Sequence, residues 1–140
     1  YLNMFDNVEI PEPETLWDDY SGRSKAPTLQ SMTIARHLRP SDLKLTTPGN
    51  LTPAQKAAWD KAYGPKNQAF KKAGLQGREL VKWKYQRYVK DYLRCVKAVD
   101  DNIGRVLAYL DERYGGVEAY VRTIGLTPAQ IESIRAALVE

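Results

Sequence analysis

The sequence predicts a mainly α-helical chain: one long amphipathic helix, shorter helices and an extended N-terminal arm. Three observations predict it. An apolar stripe runs at helical spacing from Val81 to Leu110, the pentapeptide Leu-Thr-Pro-Ala-Gln occurs twice as a helix start, and alternate prolines at Pro11 and Pro13 hold the first segment extended. The 140 residues are about one domain in length, with 43% hydrophobic and 27% charged residues, a balance that supports a folded core. The net charge of +4 is mildly basic and falls short of the dense basic patch of a dedicated nucleic-acid binder.

Tyr1 to Gly22 read as a surface arm, acidic at Glu9, Glu12, Glu14, Asp18 and Asp19. A helix is expected from Pro27 to Leu38, because proline suits a first turn and Arg39-Pro40 ends it. Residues 41–50 are loop-like and close on Pro48-Gly49-Asn50. Thr52 is then a natural N-cap, with Pro53 in the first turn and Gln55 placed to complete a capping box. That helix is expected to stop near Tyr63 at Gly64-Pro65, and a shorter one to end near Ala73 at Gly74.

The long helix is expected over about 78–113. Its stripe is Val81, Tyr85, Tyr88, Tyr92, Val96, Val99, Ile103, Val106 and Leu110, all three or four residues apart. Lys84, Arg87, Lys90, Arg94 and Lys97 fall on the other side. Gly115-Gly116 break the helix, and two short helices follow at about Val117–Thr123 and Pro128–Val139. The chain thus divides into an arm and loop with one short helix (1–50), a helical segment (51–112) and two C-terminal helices (113–140).

Few side chains carry chemistry. The basic face is expected to be solvated, its lysine and arginine stems covering apolar neighbours, with anion binding as the rival reading. Tyr85, Tyr88 and Tyr92 lie on the stripe and are expected to be buried with their hydroxyls satisfied. Cys95, the sole cysteine, permits no intramolecular disulfide and sits mid-helix as a small inert thiol beside the packed face. His37, the one histidine, stands near a helix end, and alone it makes no multi-ligand zinc site. Asp100-Asp101-Asn102 diverge around a helix by about 100° per residue, so they are expected to pair locally with Lys97 and Arg105. Asp18-Asp19 lack an identifiable partner for acid/base work. Gly115-Gly116 are not followed by the Lys-Ser/Thr of a phosphate loop. No apolar run is long enough to cross a bilayer. The opening Tyr1 leads to the expectation of an internal segment, with any export signal encoded upstream.

The run Trp83 to Leu107, containing Tyr88-Val89-Lys90-Asp91-Tyr92-Leu93-Arg94-Cys95-Val96 and Val99-Asp100-Asp101-Asn102-Ile103-Gly104-Arg105, resembles sulfatases of the bacterial glucosamine-6-sulfatase and arylsulfatase type. Val8 to Pro13, Asp18 to Arg23 and Ala62 to Pro65 agree with it in order, so the resemblance covers residues 1 to about 112. It implies a sulfuric ester hydrolase with an alkaline-phosphatase-like α/β parent fold, a calcium ion and a formylglycine nucleophile, in a periplasmic or secreted setting. The Cys/Ser-x-Pro/Ala-x-Arg motif of that nucleophile is missing here, since Cys95 precedes Val96-Lys97-Ala98, and so are the calcium-binding aspartates. No catalytic, cofactor-binding or metal residue is therefore assigned, and the segment is expected to be inactive alone on sulfated sugars or aryl sulfates. The Asp18–Arg23 arm is expected to be scaffold, with approach to substrate as the rival reading.

Residues 113–140 instead resemble the C-terminal tail of bacterial tyrosine phosphatases, without the His-Cys-x5-Arg loop. A junction of unrelated pieces, a truncated product and a divergent sulfatase ending remain open. A small helical module binding sulfated glycan or nucleic acid through the basic face is the alternative function, although nucleic acid is not expected. An exposed Val81–Leu110 stripe would demand either the rest of the sulfatase domain or a second copy.

Overall fold

The computed structural model describes residues 1–29 and 32–139. Among these the chain is helical without strands: α1 Lys25–Leu29, α2 Ile34–His37, α3 Pro53–Ala73, α4 Gly77–Tyr114, α5 Val117–Thr123 and α6 Pro128–Val139. A single 3-10 turn, Glu14–Trp17, interrupts the arm. Two compact units form, residues 1–95 and 96–140, with α4 contributing to both.

The expected Pro27–Leu38 helix is instead two short ones, with residues 30 and 31 outside the described part. Thr33 is extended (φ −137°), and its hydroxyl accepts from the Arg36 N–H, so the second helix has a cap of its own. The expected stop at Gly64-Pro65 is also corrected, because α3 continues through Pro65 to Ala73. An interior proline removes one backbone hydrogen bond and strains the preceding turn. Contacts on both sides hold the helix together across it. Ala62 and Tyr63 are buried, Lys66 reaches Leu2 O at 3.0 Å, and Asn67 donates to Lys44 O at 2.9 Å. Gly74, left-handed at φ 57°, ends α3 where a side chain would be strained.

The capping box at Thr52 forms in both directions, Thr52 N–H to Gln55 Oε1 at 2.9 Å and Gln55 N–H to Thr52 Oγ1 at 3.3 Å. Thr127 and Gln130 repeat it ahead of α6, at 2.9 and 3.4 Å. Thr52→Ala is expected to cost about 1 kcal/mol, read as a lower urea midpoint with an unchanged slope.

The first unit is built where α4 meets the arm and α3. Tyr85 is buried with its hydroxyl donating to Pro11 O at 2.8 Å. Gln86 clasps Ile10 from both sides, accepting its N–H at 3.1 Å and donating to its carbonyl at 2.7 Å. Phe70 stacks on Trp83 with ring centroids 3.7 Å apart, and Arg78 lies 4.6 Å from the Trp17 ring centre. In the second unit, Gly115 (φ 81°) donates to Asp111 O at 3.0 Å and ends α4. Glu118 of α5 then pairs with Arg135 of α6 at 2.8 Å.

The tyrosine expectation holds for Tyr85 alone, since Tyr88 is 42% and Tyr92 61% exposed. Beyond them Val96, Val99, Ile103 and Val106 are also exposed, each by 46% or more. For Tyr88 and Tyr92 the physical reason is that the arm and α3 pack on the charged side of this part of α4, where their carbonyls and hydroxyls can satisfy guanidinium groups. No described helix is long and apolar enough to cross a membrane.

Candidate functional site

The solvated basic face is the main correction. Arg87 and Arg94 are 8% and 5% exposed, and Asp91 between them is 6% exposed. Positions 87, 91 and 94 follow the four-then-three spacing that brings side chains together on one helix face. A buried charge is tolerated only when paired and hydrogen-bonded, and the sequence provides partners from three directions. Asp91 Oδ1 takes an ion pair from Arg94 Nη1 and a 2.8 Å hydrogen bond from the Tyr63 hydroxyl. Its other oxygen accepts no hydrogen bond among the described residues and lies 3.6 Å from Arg87 Nε. Arg87 Nε donates to Leu43 O at 3.0 Å, and its Nη2 to Asn67 Oδ1. Arg94 Nε donates to Met4 O at 2.8 Å and its Nη2 to Asp6 at 2.6 Å.

Burial and the neighbouring Asp91 carboxylate push the Tyr63 phenol well above its usual range, so it remains a donor. Burial pulls the Arg87 guanidinium down, against the raising effect of Asp91. The Arg87 guanidinium also rests 4.8 Å from the Tyr63 ring centre, a cation–π contact.

Beside this cluster lies a concavity of about 370 Å3. Arg87, Lys90, Arg94 and Lys66 line it together with Asp6, Trp83 and Gln86. Lys66 pairs with Asp6 at 2.8 Å. Burial, with the Arg94 guanidinium as the next cause, holds the Lys90 ammonium below its ordinary range. The remaining basic residues are not gathered here: Lys84 donates to Ala35 O at 2.6 Å, and Lys97 pairs with Asp101 and, at 3.5 Å, with Asp100. Lys66 escaped the sequence reading because it lies on a different helix from the basic face of α4.

The other candidates stay apart. Cys95 is exposed. His37 ends α2, its Nδ1 accepting from the Thr33 N–H at 3.0 Å. Asp18 accepts from the Tyr20 N–H at 2.8 Å and pairs with Arg23 at 2.6 Å. Asp19 accepts from the Ser21 N–H at 2.8 Å, which lowers its pKa, so these two acids shape a turn. Asp100, Asp101 and Asn102 lie within α4 and pair locally as expected, the two aspartates with Lys97 and Asn102 with Arg105. Calcium and formylglycine, which the resemblance implies, do not fit these residues. Among the described residues no three of His, Cys, Asp and Glu are placed to hold a metal, and Cys95 stands mid-helix.

Comparisons with known proteins find two families. The tyrosine phosphatase family model matches residues 42–140. The N-acetylglucosamine-6-O-sulfatase of Bacteroides thetaiotaomicron is 40% identical over 128 residues, covering 80% of this chain and 23% of the relative. A solved structure in complex with its substrate, D-glucosamine-2-N,6-O-disulfate, matches at 39% identity and a TM-score of 0.71. It covers 79% of this chain and 26% of that one. The chain thus spans about a quarter of the length of these relatives. The two assignments compete for part of the helical region. There the sulfatase match has the stronger warrant, because it joins sequence identity to a shared three-dimensional structure. The chain belongs to the tyrosine phosphatase family through residues 42–140, and it carries a segment of the sulfatase family over about four-fifths of its length.

Proposed function

We propose that this chain is a noncatalytic scaffold segment of a sulfuric ester hydrolase, whose parent acts on sulfated sugars or aryl sulfates. The observation that carries the reading is the sulfatase likeness in both sequence and structure, at 39% identity and a TM-score of 0.71. The chain's own side chains support the scaffold role. Arg87, Asp91 and Arg94 direct hydrogen bonds to the arm, the 41–50 loop and α3, fixing the path of the backbone rather than presenting a nucleophile. The exposed stripe Val96, Val99, Ile103 and Val106 supplies the apolar face that the remaining α/β domain would cover. Calcium and formylglycine belong, in this reading, to the rest of the parent, and no step is routed through them here.

Ester cleavage requires a nucleophile and groups that stabilise developing charge in one place. The basic concavity offers charge without a nucleophile, and the Cys/Ser-x-Pro/Ala-x-Arg and His-Cys-x5-Arg motifs are both missing from the sequence. The chain is therefore expected to turn over neither an aryl sulfate nor an aryl phosphate in the presence of added calcium. A rate above background that chelation abolishes would overturn the proposal. So would a chelation-resistant rate in a preparation shown to be free of contaminating hydrolase.

A further inference from the structure

We propose that the concavity between the arm and α4 is a binding site for a tetrahedral oxyanion, a sulfate or phosphate group presented as the free ion or as a monoester. The first argument is charge. Four cations, Lys66, Arg87, Lys90 and Arg94, line it, and two carboxylates, Asp6 and Asp91, neutralise them through the ion pairs at Lys66–Asp6, Arg94–Asp6, Arg94–Asp91 and Arg87–Asp91. With the nearby Glu9 counted as well, four positive charges against three negative leave the concavity net positive, which favours an anion.

Donor supply is the second argument. Asp6, the carboxylate in the lining, is already shared between Lys66 at 2.8 Å and Arg94 at 2.6 Å. Gln86, also in the wall, is committed to both polar groups of the Ile10 backbone. Among the described residues Lys90 makes no ion pair or hydrogen bond, although it sits in the lining beside Arg94. An ammonium without a partner, flanked by positioned guanidinium groups, is suited to an anion with oxygens on several sides. A tetrahedral oxyanion accepts from Lys90, while Lys66 and Arg94, whose donors already reach Leu2, Asn3, Asp6, Met4 and Asp91, contribute charge.

The electrostatic environment agrees. The Lys90 ammonium is disfavoured by burial and by the charges of Arg94 and Lys66, against the favourable pull of Asp6 and the exposed Glu9. A bound anion relieves that repulsion. The size of the concavity, about 370 Å3, suits one charged headgroup rather than a nucleic-acid backbone. Lys84 and Lys97, which a longer polyanion would need, are bonded elsewhere. This site does not rest on the sulfatase reading, since its charge balance is a property of the chain alone.

The test is an NMR titration of the 140-residue chain with sodium sulfate and with sodium phosphate, ionic strength being held constant with sodium chloride. Saturable shifts at the Trp83 indole and the backbone amides of residues 87–94 are expected. Lys90→Gln is expected to weaken binding on the order of tenfold or more, the loss of one charge-assisted contact, without lowering the thermal midpoint. Lys82→Gln, outside the concavity, serves as the control and leaves the affinity unchanged. Glucose 6-sulfate and glucose 6-phosphate distinguish the sources: tighter binding of an ester than of its free ion identifies a monoester ligand, and the reverse identifies the ion. Shifts that do not saturate, that chloride reproduces, or that Lys90→Gln leaves intact would each overturn the site.

Discussion

Asp91→Ala is expected to destabilise the chain by about 3–5 kcal/mol, the cost of leaving buried guanidinium groups without their counter-charge. Arg87 and Arg94 are both under a tenth exposed, so water cannot replace the missing carboxylate without opening the packing around them. Tyr63 loses the acceptor of its 2.8 Å hydrogen bond at the same time. Urea unfolding followed by far-UV circular dichroism measures the loss. Asp91→Asn separates charge from volume, because the amide fills nearly the same space and still accepts from Tyr63. The asparagine variant is expected to lose most of the same stability. Parent-like stability in Asp91→Asn would show that packing, not the ion cluster, holds the first unit together.

Arg94→Met acts on the same cluster with a different signature. Arg94 binds Met4 O, Asp6 and Asp91, so it fastens the N-terminal arm to α4. Methionine keeps much of the apolar stem and removes all three contacts. A loss of about 3 kcal/mol is expected, discounted within the range for broken buried pairs because the Asp6 side chain is 32% exposed. Hydrogen exchange localises it: amides of the arm up to Ile10 are expected to exchange roughly a hundredfold faster, whereas those of α6 keep their protection. Arg94→Lys is expected to rescue little, because a single ammonium does not reproduce the planar fork that meets three acceptors. Uniformly faster exchange across the chain would count against the arm as the element that Arg94 secures.

The helices were legible wherever local chemistry decides them. Thr52 with Gln55 and Thr127 with Gln130 mark helix starts by reciprocal hydrogen bonds contained within four residues, and the structure forms both. The period of the Val81–Leu110 stripe gave α4 to within one residue at either end. Pro65 misled because its local preference to break a helix is overridden by Tyr63, Lys66 and Asn67, whose partners lie far away in the chain. The basic concavity was only half legible. Arg87, Lys90, Asp91 and Arg94 share a face by spacing, but nothing local indicates that Lys66 joins them or that Asp6 accompanies them.

By itself the sequence determined that the chain is helical, where its caps lie, and that it resembles a sulfatase segment without that family's nucleophile motif. Only the tertiary structure decided which side of α4 faces inward. Hydrophobic periodicity pointed to the stripe, yet beyond Tyr85 much of the stripe remains exposed while Arg87, Asp91 and Arg94 are buried. The reason is that burying a charge depends on acceptors and counter-charges brought from distant segments, here Met4, Asp6, Leu43 and Tyr63, and their convergence is absent from the pattern of any one helix.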